Sequence, residues 1–223
     1  MSLSVTTYSE LKAAVASIMH RSDLTSEIAG AIALCEAEMQ RKLDVAEQEA
    51  TATLSVSAGS STVSLPTGFI AMRRLRQLYG GALRTLYPTS LAKPGSDIES
   101  IGGWAENIAV KGSTLTITPT PTEAQTLLLD YYAKFTPLSD SATTNWILTN
   151  HPDVYLYGSL KHIGVYVGAD PRFLTRVTQF STLYAQGIKE INDLDRKKRF
   201  GNLVTTTDTP MARRGYYDIR TGV

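Results

Sequence analysis

The sequence predicts an α+β protein, a helical bundle formed by N- and C-terminal helices with a β-rich insertion and an extended C-terminal tail. Three observations predict it. Apolar residues recur at helical spacing before residue 48 and again between 138 and 200, alternating apolar and Thr/Ser residues fill 49–137, and neither period continues after 201. The corresponding divisions are a helical hairpin over 1–48, the β-rich insertion over 49–137, C-terminal helices completing the bundle over 138–200, and an extended arm over 201–223.

The first helix starts at Thr7-Tyr-Ser-Glu10, a capping-box pattern, and runs to about His20 with Tyr8, Leu11, Val15, Ile18 and Met19 inward. Asp23 or Thr25 offers the cap of a second helix, in which Ile28, Ile32, Cys35 and Met39 repeat at spacings of four, three and four. In TATLSVSAGSSTVSLP, Leu54, Val56, Val63 and Leu65 alternate with polar residues about an Ala-Gly-Ser-Ser turn, which predicts a strand pair. RLRQLYGGALRTLY turns at Gly80-Gly81 and NIAVKGSTLTITP at Lys111-Gly112. TLLLDYYAKF adds a strand whose successive Leu127, Leu128 and Leu129 predict cover on both faces. Asn150 with Pro152, then Asp170 with Pro171, mark two further helix starts. The last helix carries Val177, Phe180, Tyr184, Ile188, Ile191 and Leu194 on one stripe and ends in Arg196-Lys-Lys-Arg199, with Gly201 as terminator.

Composition narrows the function. The 223 residues are 43% apolar, as in a globular protein, and 22 Lys plus Arg against 21 Asp plus Glu give a net charge of +1. No global positive field exists, so nucleic-acid contact needs a local patch. A lone cysteine, Cys35, excludes an internal disulfide framework and a cysteine-rich zinc site, and fits a reducing compartment. The first twenty residues lack a signal-peptide pattern and no apolar run approaches the ~20 residues of a membrane span, predicting a soluble, unprocessed chain with no membrane partner.

Chemistry-bearing patterns are sparse. His20, His151 and His162 have no second ligand at metal-binding spacing, so no metal is expected. There is no nucleophile elbow, phosphate-binding loop or dinucleotide fingerprint, and no cofactor is expected. Glu36 with Glu38, and Asp193 with Asp195, lie two residues apart and point to different sides of their helices. These readings assign no catalytic residue and predict a protein that is not an enzyme. Two basic clusters, Arg73, Arg74 and Arg76 in one and Arg196, Lys197, Lys198 and Arg199 in the other, are candidate DNA-facing groups. Strand alternation turns Arg73 and Arg74 to opposite faces, and the second cluster also suits a helix C-terminus. Trp146, Tyr155 and Tyr157 are candidate interface anchors, with the core as the alternative.

YSELKAAVASIMHRSDLT, IALCEAEMQRKLDVAEQE, LPTGFIAMRRLR and LDYYAKFTPLSD followed by TNWILTNHPDVYLYGSL, in this order over about residues 7–200, resemble the head-to-tail connector or adaptor proteins of podovirus-like tailed bacteriophages. The resemblance implies a homo-oligomeric, typically dodecameric ring at the virion neck, beneath the portal protein. It joins the portal to the tail tube or nozzle and surrounds the channel through which DNA is packaged and ejected. The helices are then the ring body, the β module projects toward the tail, and the protein is made in the host bacterial cytoplasm. It also implies a C-terminal extension that reaches the portal. In MARRGYYDIRTGV, Arg213, Arg214 and Arg220 suit forked contacts to carboxylates, and Tyr216, Tyr217 and Ile219 supply apolar area for that docking. Two readings from other classes stand beside it, a nucleic-acid-binding accessory protein and a virion-associated cell-wall hydrolase.

Overall fold

In the computed structural model, which describes residues 4–79, 82–88, 105, 107–167 and 171–200, the chain begins with helix α1 (Tyr8–Met19). The Thr7 side chain accepts the Glu10 amide, but the Glu10 carboxylate reaches one residue further back than a capping box, to the Thr6 amide at 2.8 Å. At the other end His20 takes the left-handed conformation, φ 53°, and the His20 and Arg21 amides return to Ser17 and Ala16. Helix α2 (Thr25–Lys42) follows with Leu24 at its N-cap and no side-chain cap. Neither expected cap acts: Asp23 is taken by Arg21, whose bonds hold its carboxyl at about 2.

A short 3-10 turn (Ala46–Gln48) leads into β1 (Glu49–Val56), β2 (Thr62–Ser64), β3 (Phe69–Tyr79), β4 (Ala82–Pro88), β5 (Asn107–Lys111), β6 (Thr114–Thr118) and β7 (Gln125–Ala133). Then come α3 (Trp146–Asn150), α4 (Pro152–Val167) and α5 (Pro171–Phe200), the latter two each starting on a proline that has no helical amide to lose. Asn150, expected to cap the helix that starts at Pro152, instead ends α3, whose own N-cap is Asn145, accepting the Leu148 amide at 3.0 Å.

The expected helical bundle is not what the chain forms. Among the described residues there are five α-helices and a seven-stranded sheet of order β1-β7-β3-β4-β5-β6-β2, antiparallel except for β4 with β5. Its two end strands, β1 and β2, approach each other, so the sheet curls into a nearly closed, barrel-like body. Inside it Leu54, Val56, Leu75, Ile117, Leu127 and Leu129 form a core of their own. The physical cause is the alternation itself, because one apolar face per strand is buried most completely when the sheet wraps onto that face. The helices make a second core, with α4 in contact with α1, α2, α3 and α5.

Two local expectations change with it. β1 and β2 flank the turn at Gly59 (φ 76°) but do not pair, since β1 pairs with β7 and β2 with β6. β7 lies between β1 and β3, yet only its inner face is covered: Leu127 and Leu129 are buried and Leu128 is half-buried. β3 with β4 and β5 with β6 are antiparallel neighbours as the sequence predicts, with Gly112 at φ 59° in the second turn. Residues 80–81 and the arm over 201–223 lie outside the described residues. Among the described residues no helix is long and apolar enough to cross a membrane.

Candidate functional site

Both basic clusters converge on one polar seam where the end of α5, the α2–β1 link and the outer face of the sheet meet. The route to it is a bulge. β3 pairs Met72 with Tyr131 and then Arg74 with Asp130, leaving Arg73 as the extra residue. The bulge cancels one step of the alternation, so Arg73 and Arg74 are both exposed instead of facing opposite sides, and Arg76 follows on the same face. These three arginines line one cleft of about 570 Å³ with Glu49, Ala50, Thr51 and Asp130.

The charges in the cleft are matched internally. Arg73 pairs with Glu49, while Arg74 and Arg76 lie 2.9 and 3.2 Å from the Asp130 carboxylate, which also accepts the Thr51 hydroxyl. Burial opposes ionisation of Asp130, but the bonds from Arg74 and Thr51 and the Arg76 charge outweigh it and hold the carboxyl below its usual range. In the second cluster Arg199 lies 2.5 Å from Asp195 and 3.3 Å from Glu49, and donates to the Tyr132 hydroxyl at 2.9 Å. Lys198 pairs with Glu47 at 2.6 Å and Arg196 with Asp193 at 3.0 Å. Lys197 is exposed. Glu49 is therefore shared between the two clusters and ties sheet to helix.

Sequence reasoning missed the carboxylates that organise this seam. Asp195 is only 6% exposed, although Leu194 was the expected stripe residue and is 56% exposed. Asp195 accepts the Ala46 amide at 2.7 Å besides pairing with Arg199 four residues on. The signal was present, because Asp195 lies ~5 helical turns after Val177 and so in phase with the buried stripe.

Of the three aromatic candidates, Tyr155 is fully buried; its hydroxyl donates to Glu36 at 3.0 Å and accepts from Asn145 at 2.6 Å, which makes it a core residue of this chain. Tyr157 is half-buried and stacks on Phe180 with ring centroids 6.2 Å apart. Trp146 is half-buried beside His151, and its indole nitrogen has no hydrogen-bond partner among the described residues. Arg213, Arg214, Tyr216, Tyr217, Ile219 and Arg220 lie outside the described residues.

The helical core holds two further carboxylates that diverge as their spacing requires. Burial raises Glu36 above its ordinary range, although its carboxylate accepts the Leu138 amide at 2.7 Å and the Tyr155 hydroxyl. Glu38 feels burial too, but bonds from Lys161 and Lys42 prevail and bring it to about 2; His162 sits 2.9 Å away. Burial pushes the neighbouring Cys35 thiol up, which keeps it protonated and unreactive. Among the described residues no group of three His, Cys, Asp or Glu side chains could hold a metal ion. What the arrangement does chemically is join two bodies by ion pairs.

Compared with known proteins, residues 6–214 match the family model described as SU10 adaptor protein. No curated protein matches the chain.

Proposed function

Because the chain belongs to the SU10 adaptor protein family, a family of phage adaptors, we propose that it is the head-to-tail connector of a podovirus-like virion. In this reading copies of the chain form a ring, typically dodecameric, beneath the portal protein at the neck. The ring joins the portal to the tail tube or nozzle and surrounds the DNA channel. The observation within the chain that supports it best is the presence of two separately cored bodies, one helical and one a curled sheet, joined by a charged seam. Such a chain can give one body to its neighbours and portal and the other to the tail while needing no active site.

Exposed Val165 and Tyr166 on α4 and Leu183 and Leu194 on α5 supply apolar area for contacts between copies. The arm residues Arg213, Arg214, Tyr216, Tyr217, Ile219 and Arg220 are assigned to the portal. The internal pairing of Arg73, Arg74, Arg76, Arg196, Lys198 and Arg199 favours this role over a DNA-binding accessory protein, since phosphates would have to displace carboxylates already in place. DNA in the channel then makes only transient, non-specific contact.

The test is to mix the full-length protein with its cognate portal and record native mass spectra and electron micrographs. Rings seated on the portal are expected. Persistent absence of binding by a folded, monodisperse sample overturns the reading.

A further inference from the structure

Beside the seam runs an apolar groove of about 520 Å³, where the C-terminal end of α2 meets strands β3 and β7. Leu43, Phe69, Ile70, Ala71 and Tyr132 supply its apolar lining, and Ile70 is 41% exposed. Volume and lining are those of a binding cleft, which is mostly apolar with a few polar groups that fix the occupant. The polar groups decide what that occupant is.

Four of them are donors that this chain leaves without an acceptor among the described residues. Arg41 on α2 and Lys134, directly after β7, both line the groove, both are exposed, and neither forms an ion pair there. Gln40 and Gln48 line it too. Gln48 is only 4% exposed, and the carboxamide nitrogen of each glutamine is shielded from solvent with no hydrogen-bond partner among the described residues. A buried donor without an acceptor is destabilising, and the soft terminal torsion of glutamine lets either N–H turn to an acceptor that arrives in the groove. Against these donors stands one lining carboxylate, Asp44, which lies 3.8 Å from Arg199. The seam is the opposite case, because Arg73, Arg74, Arg76 and Arg199 all have carboxylates of this chain in place. Gln48 and Lys134 also line a second hollow of about 360 Å³, in which the Trp146 indole nitrogen is another buried donor without a partner among the described residues. The two hollows share those residues, so an extended chain can run from one to the other.

We propose that this groove docks an extended acidic segment of a partner protein, with carboxylates on Arg41 and Lys134, backbone carbonyls on Gln40 and Gln48, and an apolar side chain against Ile70. Backbone carbonyls are the acceptors that neutral amides suit, and an apolar floor receives a side chain but not a run of phosphates, so the chemistry favours an acidic peptide over nucleic acid. The stretch of this chain after residue 200 has the wrong sign, since Arg213, Arg214 and Arg220 outnumber Asp208 and Asp218. The inference goes beyond the connector reading. Its test uses the protein alone, so its failure leaves that reading standing.

The probe is a displayed library of random heptapeptides, panned on the full-length protein. Peptides with at least two Asp or Glu around an apolar residue are expected to rise at least tenfold above their frequency in the input. On Ile70→Asp they are expected to stay at the input frequency. A synthetic peptide of the enriched sequence is expected to bind the double variant Arg41→Glu with Lys134→Glu at least tenfold more weakly than the parent. Ile70, Arg41 and Lys134 are all exposed, so these variants keep the fold. Gln48→Met, which removes the orphan amide, is expected to weaken the same peptide at least threefold. The proposal is overturned if no acidic sequence is enriched, if enrichment persists on Ile70→Asp, or if charge reversal or loss of the Gln48 amide leaves affinity unchanged. It is also overturned if sedimentation shows the parent alone forming dimers that Ile70→Asp abolishes, since a second copy then fills the groove.

Discussion

Where α4 crosses its neighbours, a Cβ added to Gly158 would come within 2.8 Å of the Tyr184 ring and closer still to the Cys35 sulfur, and one on Gly187 would come within 2.7 Å of Val154. On the outer face of the sheet, by contrast, Leu78 and Leu83 face each other across β3 and β4 and are each 49% exposed. The crossing at Gly158 and Gly187 has no room for an added methyl, whereas the sheet keeps its tolerance outside and its packing inside. The difference follows from geometry: helices meet as cylinders and approach closely only through small residues, while a curled sheet buries one face and leaves the other to solvent. Surface available for partners is accordingly richer on the sheet exterior and at the seam than at the α2–α4–α5 crossing.

The comparison is broken most directly by adding volume to each region. Gly158→Val is expected to cost more than ~3 kcal/mol, because overpacking against a ring and a buried sulfur outweighs any gain in helix propensity. Ala82→Val on the exposed β4 surface is expected to change stability by less than ~0.5 kcal/mol. Urea unfolding of the two variants measures both. Equal effects would mean that the helical crossing is no tighter than the sheet exterior.

Acid separates the regions next, through Glu38. Its carboxyl stands at about 2 in the folded chain against an ordinary 4.5, so its contribution is complete above ~pH 4.5 and is lost as pH falls toward 2. The span corresponds to about 3 kcal/mol. His162, lowered from 6.5 chiefly by burial, acts in the same direction, withdrawing stability as pH falls below its ordinary value. Raised Glu36 acts oppositely, since its burial cost is relieved as it takes up a proton on the way down to 4.5. Stability measured by urea unfolding should therefore fall between pH 4.5 and 2, and Glu38→Gln should flatten that fall. An unchanged slope in the variant would remove Glu38 from the account.

Much of the helical region was legible in the sequence, because Ile28, Ile32, Cys35, Met39, Tyr184, Ile188 and Ile191 carry a 3.6-residue period that few other structures accommodate, and all are buried. Strand positions were legible for the same kind of reason, but strand partners were not. The turn at Gly59 reads as a hairpin, and nothing local reveals that β1 will find β7 and β2 will find β6, so the curled sheet was misread as an insertion in a bundle. At the seam the arginines stood out by type, whereas the bulge at Arg73 that aims them depends on the β7 register and is invisible in a single strand. Asp195 was hidden by its chemistry, since apolar Leu194 drew the stripe one position aside.

The seam itself gives the smallest and most discriminating test. Asp195 is buried, satisfies the Ala46 amide and is the nearest carboxylate to Arg199, so Asp195→Ala leaves the Ala46 amide without its acceptor and Arg199 with only Glu49 and the Tyr132 hydroxyl close by, and is expected to cost about 2 kcal/mol. Arg74 pairs with Asp130 at similar distance, yet its side chain is 53% exposed and Arg76 remains to hold the carboxylate, so Arg74→Ala should cost less than ~1 kcal/mol. Hydrogen exchange shows where each loss falls. Asp195→Ala should loosen residues 44–48, the link between the two bodies, while protection in β7 and α4 stays as it was. Arg74→Ala should leave that link unchanged. If instead the two variants loosen the link equally, the tie between helix and sheet lies in the whole charge network, and Asp195 is no more its anchor than the exposed pair.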